Sequence, residues 1–118
     1  MEKLVLIDGQ EVSLKVNASC LRRYKMQFRR DFIQDIYKLK KLEKYVNKDG
    51  VLSAEEEIIA QIDFELFSDL LWLFAKTADK TIPAPLEWEE QFERIPIQDT
   101  LPVVLELLTV MLDSSKKK

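Results

Sequence analysis

A short segment near the N-terminus constrains the fold of this chain more than any other feature. An apolar run at residues 4–7 is followed by Asp8-Gly9 and then by residues 11–16, in which apolar and polar side chains alternate strictly. Alternation with a period of two predicts a half-buried strand, and glycine accepts the positive φ that a tight turn between two strands requires. The sequence therefore predicts a β-hairpin at residues 3–16. Because a two-stranded hairpin is only marginally stable alone, we expect it to pack on helices.

Four amphipathic segments after the hairpin predict those helices. In each segment apolar residues recur at intervals of three and four, which places them on one face of an α-helix. Turn-forming residues and prolines separate the segments. The predicted helices span about residues 18–46, 54–78, 86–95 and 101–113, and residues 114–118 are expected to form a flexible tail.

The length of the chain limits the number of domains. With 118 residues it can bury one hydrophobic core but not two. We therefore predict a single domain over residues 1–113 of a mainly α (α+β) class, in which the hairpin is followed by a compact bundle of about four helices. No run approaches the roughly 18 apolar residues of a membrane span, and residues 1–7 do not resemble a signal peptide. An intracellular protein without membrane contact is expected.

The chain is poor in the side chains that catalysis uses. Histidine is absent, which excludes histidine-based triads and histidine-ligated metals. Cys20 is the single cysteine, and without a histidine to act as its base it is expected to be structural. Both glycines lie in predicted turns, so no phosphate-binding loop is predicted. We expect a protein that is not an enzyme and binds no cofactor.

One motif imitates a calcium site. Residues 47–56 match six positions of an EF-hand loop, but its first position, normally Asp, is Tyr45. The phenol removes a carboxylate ligand and fills the space of the ion. A turn at Gly50, followed by a capping box from Ser53 to Glu56, explains the same residues. We therefore expect no metal site.

Charge is divided unevenly along the chain. Residues 1–50 carry 12 basic and 7 acidic side chains, a net charge of +5, whereas residues 51–118 carry 6 and 14, a net charge of −8. Either the two halves pair within one domain, or they promote association between copies or docking to a charged partner. The overall charge of −3 disfavours nucleic-acid binding.

Two groups of residues are candidates for binding a partner. Four arginines in the first predicted helix form a charged surface, and three large apolar residues lie off or at the edge of the predicted core stripes. These apolar residues either fill the core or line a groove for a partner helix, a binding mode that needs no catalytic residue. Exchange of the last two arginines for glutamate is expected to weaken binding without unfolding the domain. The candidates are Arg22, Arg23, Arg29, Arg30, Phe64, Trp72 and Trp88.

The order of these segments resembles that of the small tail assembly chaperones of long-tailed bacteriophages and prophages. The motifs that carry the resemblance are IDG at residues 7–9, RRYK at 22–25, FRRD at 28–31, LWLFAKTAD at 71–79, and Trp88 with Phe92 before a final aliphatic helix. The resemblance spans most of residues 4–112. The link at residues 47–56 is longer than is usual in the family.

The resemblance implies a non-catalytic protein of the host cytoplasm. Such chaperones bind the long, apolar, helical tape measure protein, keep it soluble and support polymerisation of the tail tube, and they are not part of the mature virion. Many also occur in a longer form made by ribosomal frameshifting, and Lys116 to Lys118 are compatible with an A-rich slippery codon run. Self-association is compatible with the charge division described above.

The alternative function is that of a small nucleic-acid-associated phage or bacterial regulator that uses the basic first helix. A salt-dependent shift of DNA would distinguish it, because phosphate binding releases counterions.

Overall fold

A β-hairpin followed by helices makes up the computed structural model, which describes the backbone of residues 1–116 and the side chains of residues 1–112. Within these residues there are two strands, six α-helices and one 3-10 helix. The elements are β1 (Glu2–Ile7), β2 (Gln10–Lys15), α1 (Ser19–Phe28), α2 (Phe32–Lys40), the 3-10 helix (Lys41–Tyr45), α3 (Glu56–Ile59), α4 (Phe64–Ala78), α5 (Pro85–Glu89) and α6 (Ile97–Lys116). The predicted class, mainly α with an N-terminal hairpin, is therefore confirmed.

The hairpin forms where the alternation predicts it. The two strands pair antiparallel, and the ladder ends with Ile7 opposite Gln10. Asp8 and Gly9 both have positive φ, 55° and 80°, which is the backbone conformation of a tight two-residue turn. Ile7 and Leu14 are completely buried. One face of the hairpin thus closes the helical part of the core.

Helix α4 lies at the centre of the fold. Ten of its 15 residues are buried, as its wide apolar surface leads one to expect. Strand β2 and helices α1, α5 and α6 all pack on it. The carboxylate of Asp63 caps the helix by accepting a hydrogen bond from the backbone N–H of Leu66 at 3.0 Å.

The helix predicted at residues 18–46 is instead divided into α1, α2 and the 3-10 helix. Arg29 adopts the left-handed conformation (φ 59°), and its N–H donates to the Lys25 carbonyl, which ends α1. Asp31 then caps α2 by accepting from the N–H of Ile33 at 3.1 Å. The apolar spacing of three and four continues across this break, so periodicity alone predicted one helix where there are three.

The helix predicted at residues 54–78 is also divided, into α3 and α4. Ser53 does not cap a helix, because its hydroxyl accepts from the N–H of Glu55 at 3.3 Å, within the turn before α3. The capping carboxylate of Asp63 starts a new helix instead. The bundle therefore contains six α-helices rather than about four.

Helix α5 is shorter than the predicted 86–95, since it ends at Glu89. The backbone N–H groups of Gln91 and Phe92 bond to carbonyls three residues back, so the chain leaves the α-helix through tight turns.

Helix α6 is longer than the predicted 101–113 at both ends. It begins at Ile97, so Pro102 lies inside the helix as its sixth residue, where it cannot donate the N–H that would bond to the Gln98 carbonyl. No glycine or proline follows Pro102, and the helix continues to Lys116, so it includes residues 114–116 of the expected tail. Residues 117–118 of that tail lie outside the described residues. Neither α6 nor any other helix in the described part of the chain has the length and apolarity that crossing a membrane requires.

Candidate partner-binding site

A groove of about 490 Å³ lies between α1 and α4. The residues that α1 contributes are spaced three and four apart, which places them on one side of the helix. Six of the lining residues define what we call the basic groove: Arg22, Arg23 and Met26 of α1, Trp72 and Lys76 of α4, and Ala84 just before α5.

The basic groove combines cations with apolar surface. Met26 is 70% exposed, the highest value among the large apolar side chains described. Trp72 supplies an edge at the bottom of the groove, and its indole N–H donates to the Pro83 carbonyl at 2.8 Å. The ammonium of Lys76 donates to the carbonyls of Lys80 and Ile82 at 2.8 and 2.5 Å. These bonds fix the link between α4 and α5 against the groove.

Arg22 and Arg23 are the cations of the groove that remain available to a partner. Arg22 is exposed. The Nε of Arg23 is buried and has no hydrogen-bond partner among the described residues. Arg23 as a whole is half-buried and lines the groove, so a bound molecule contacts the exposed part of its side chain and not Nε. The groove is therefore suited to a partner that offers a carboxylate beside an apolar side chain.

Arg30 is the centre of a separate network that joins α1, α2 and α4. Its Nε lies 3.0 Å from Oδ2 of Asp35, and its Nη2 lies 2.6 Å from Oδ2 of Asp69. Nη2 also donates to the hydroxyl of Tyr24 at 2.9 Å, and that hydroxyl donates to Asp35 at 2.6 Å. The network spans the break after α1 and joins it to α4.

Burial dominates the electrostatics of this network. It raises the pKa of the Tyr24 hydroxyl, and the hydrogen bond to Asp35 raises it further. Burial also raises the pKa of Asp69, although the hydrogen bond from Arg30 opposes the change. The hydrogen bond with Tyr24 is the largest contribution that raises the pKa of Arg30. The phenol of Tyr24 is therefore harder to deprotonate in the fold than in the unfolded chain, and the guanidinium of Arg30 is held in its charged form.

Raising the pH above about 10 is expected to destabilise the wild-type protein more steeply than a Tyr24→Phe variant. A tyrosine in the unfolded chain loses its proton near pH 10, whereas the pKa of Tyr24 in the fold is higher. The stabilisation is complete below that pH and is lost above it, by up to about 1.4 kcal/mol per pH unit. Urea titrations of both proteins from about pH 8 to about pH 11 measure the difference. Equal pH dependence in the two proteins would contradict the expectation.

The structure brings together three of the seven candidate residues, since Arg22, Arg23 and Trp72 all line the basic groove. Arg29 is exposed at the end of α1, outside the groove. Arg30 is engaged inside the fold, so its exchange for glutamate is no longer expected to leave the domain folded.

The three large apolar candidates separate into core and surface. Trp72 and Trp88 are each 3% exposed, so both belong to the core and offer a partner no more than an edge. Trp88 packs edge-on against Phe92, with ring centroids 5.2 Å apart. Phe64, at the start of α4, is 51% exposed and lies apart from the basic groove.

Sequence reasoning missed the groove residues Met26, Lys76 and Ala84. Met26 had a detectable signal, because a large apolar residue there falls outside the stripe that includes Tyr24 and Phe28. Lys76 and Ala84 had no signal in the sequence, because their place in the groove depends on the conformation of the link after α4.

A second cavity was also missed. It has a volume of about 420 Å³ and lies between the base of the hairpin, α1 and α6. Its lining is largely apolar and includes Met1, Val16, Leu21, Val110 and Met111. Leu21 is 41% exposed there. Helix α1 thus has an apolar cavity on one side and the basic groove on the other.

The segment that imitates an EF-hand forms a turn. The side-chain oxygen of Asn47 accepts from the N–H groups of Asp49 and Val51 at 2.9 and 3.0 Å. Val46 pairs with Leu52 across the turn. Among the described residues, no group of three histidine, cysteine, aspartate or glutamate side chains is placed to hold a metal ion.

In comparisons with known proteins, no family model, no curated protein and no solved structure matches this chain.

Proposed function

We propose that this protein is a non-catalytic tail assembly chaperone of the kind found in long-tailed phages and prophages, acting in the host cytoplasm and absent from the mature virion. Its partner is an apolar, helical tape measure protein, which it keeps soluble while the tail tube assembles. The observation that carries the proposal is the basic groove, where Met26 is left exposed beside Arg22 and Arg23.

The groove suits a partner that binds as an amphipathic helix. Such a helix places apolar residues at intervals of three and four, and these would contact Met26 and the alkyl stems of Arg22 and Lys76. The apolar area buried contributes about 25 cal/mol per Å². A carboxylate on the partner pairs with the guanidinium groups of Arg22 and Arg23, which line the groove.

The mixed character of the groove supports reversible binding. Arginine contacts at the rim of an interface speed association and set orientation, but they add little to the final affinity. A chaperone that releases its client during assembly needs this combination. Apolar contact holds the partner, and the charges select and orient it.

Exchanging Arg22 and Arg23 for glutamate is expected to weaken the complex with the tape measure protein at least about tenfold, because it reverses the charge of the groove. The measurement is co-expression with the large, apolar, helix-rich protein encoded just downstream, followed by co-purification and titration. The matched control is the pair Lys41→Glu and Lys48→Glu, which makes the same change of charge at exposed positions outside the groove.

Two results would contradict the proposal. The first is a downstream protein that stays insoluble with wild-type chaperone. The second is a complex that survives the groove exchange as well as it survives the control. A salt-dependent shift of DNA that the groove exchange abolishes would favour the nucleic-acid-associated regulator instead.

A further inference from the structure

We propose that the basic groove and helix α5 form one self-complementary surface through which two copies of this chain associate as a symmetric dimer. The inference concerns the protein alone and does not depend on the proposed function. It rests on the distribution of charge and of exposed apolar side chains around the groove.

Acidic residues of α5 lie next to the groove. Ala84 lines the groove and directly precedes α5. Glu87 lies in α5, three residues after Ala84, and Glu90 follows the last residue of the helix, three residues after Glu87, so these two glutamates are neighbours on one side of this short segment. Both glutamates are exposed, and neither forms an ion pair in the described structure. The acidic side chains of α5 and its C-terminal end therefore follow closely after Ala84, which lines one wall of the groove, and the arginines of α1 line the opposite wall.

The two most exposed large apolar side chains of the described residues lie on the same two elements as these charges. Met26, on the α1 wall, is 70% exposed, and Leu86, two residues after Ala84, is 69% exposed. Exposed apolar side chains that cluster within a polar rim are typical of protein–protein contacts. They supply the apolar centre that an interface built only from ion pairs would lack.

Two-fold symmetry makes this surface complementary to itself. In such a dimer α1 of one copy faces α5 of the other, and the same contact recurs across the axis. Arg22 and Arg23 then meet Glu87 and Glu90 twice, with two cations and two anions supplied by each copy. A head-to-tail arrangement would leave one basic and one acidic surface unpaired at its ends.

A dimer of this kind covers the basic groove. A client that binds the groove therefore competes with the second copy, and the dimer is the form present when no client is available. Because the contacts include ion pairs at an exposed rim, added salt should weaken the dimer.

The mass of the purified wild-type protein tests the proposal. Light scattering after size exclusion, over loading concentrations from about 1 μM to about 200 μM, spans the affinity range of weak dimers. The expected mass rises from the monomer value of 13.9 kDa towards twice that value. A wild-type protein that remains monomeric throughout would overturn the inference.

Charge exchange identifies the interface. The variant with Arg22→Glu and Arg23→Glu and the variant with Glu87→Lys and Glu90→Lys should each dimerise at least about tenfold more weakly than wild type, since like charges then face each other twice. An equimolar mixture should recover the dimer, because both contacts are again complementary. Lys41→Glu with Lys48→Glu is the control and should dimerise as wild type does.

Several results would contradict the proposed dimer interface. The interface lies elsewhere if the arginine variant or the glutamate variant still forms dimers as wild type does. It also lies elsewhere if the mixture stays monomeric although circular dichroism shows that both variants are folded. Replacing Leu86 with serine provides a second measurement. Leu86 is exposed, so the change should leave the fold intact but weaken the dimer. The Glu87→Lys and Glu90→Lys variant keeps both arginines, so it loses the dimer but still binds a client. Failure of client binding alone would reject the proposed function and leave the dimer intact.

Discussion

Replacing Arg30 with methionine is expected to lower the free energy of unfolding by about 2–3 kcal/mol. The guanidinium of Arg30 pairs with Asp35 and Asp69, both of which are buried. Without it, Asp69 loses its cation, and Asp35 keeps only Lys38, whose Nζ lies 3.8 Å from Oδ1. Removing one partner from a fully buried ion pair costs about 3–5 kcal/mol, and we expect a loss at or below the low end of this range because water reaches the Arg30 side chain, which is 38% exposed.

Methionine is the informative replacement at this position. Its side chain keeps most of the apolar stem that packs beside the rings of Tyr24 and Phe28, over which the guanidinium lies at 5.7 and 5.6 Å. The loss therefore reports mainly on the ion pairs and on the hydrogen bond to the Tyr24 hydroxyl. Urea denaturation at neutral pH, followed by circular dichroism, gives the free energy of unfolding.

The neighbouring Arg29→Met variant is the matched control. It removes the same charge by the same replacement, but Arg29 is exposed and forms no ion pair in the described structure. We expect a change of less than about 0.5 kcal/mol for it. Similar losses for the two variants would show that net charge, and not the network, determines the effect.

The elements that depend on local sequence could be predicted. The hairpin is specified by strict alternation on one side of Asp8-Gly9 and by the backbone freedom of that turn, which are properties of adjacent residues. The burial of helix α4 can be expected from its own sequence, because its apolar surface is wider than a single stripe. Neither prediction needed knowledge of distant contacts.

The break after α1 could not be predicted because its cause is not local. A left-handed arginine ends the helix, where glycine is the usual residue. The network that holds the next turn in place joins Arg30 to Asp69, 39 positions away in the sequence. Since the apolar spacing runs on through the break, only the folded structure separates α1 from α2.

The candidate site was predicted only in part for a similar reason. Arg22 and Arg23 could be identified as a charged surface from their positions off the apolar stripe. The opposite wall of the groove depends on the link between α4 and α5, which is fixed by hydrogen bonds from Lys76 and Trp72 to backbone carbonyls. Side chains that bond to carbonyls leave no pattern in the sequence, because any residue can supply the acceptor.

Replacing Trp72 with alanine is expected to lower the free energy of unfolding by about 3–5 kcal/mol, whereas Phe64→Ala should cost less than about 1 kcal/mol. Both are large aromatic residues of α4 that sequence reasoning could not assign to core or interface. The Trp72 ring packs edge-on against Phe28, with ring centroids 5.7 Å apart, and its N–H holds the Pro83 carbonyl. Alanine leaves a cavity and removes the donor from a buried carbonyl.

The same pair of variants separates a core role from a binding role. Small domains are stable by about 5–15 kcal/mol, so Trp72→Ala can leave the protein largely unfolded, and Trp72→Phe provides a milder measurement with a loss of about 1–2 kcal/mol. Circular dichroism in urea follows all three variants, because two of them lack a tryptophan that fluorescence would need. If Phe64→Ala proves as destabilising as Trp72→Ala, the exposed aromatic is not surface at all. If neither replacement is destabilising, α4 is not the centre of the core. In that case packing does not fix the position of Trp72 in the lining of the basic groove.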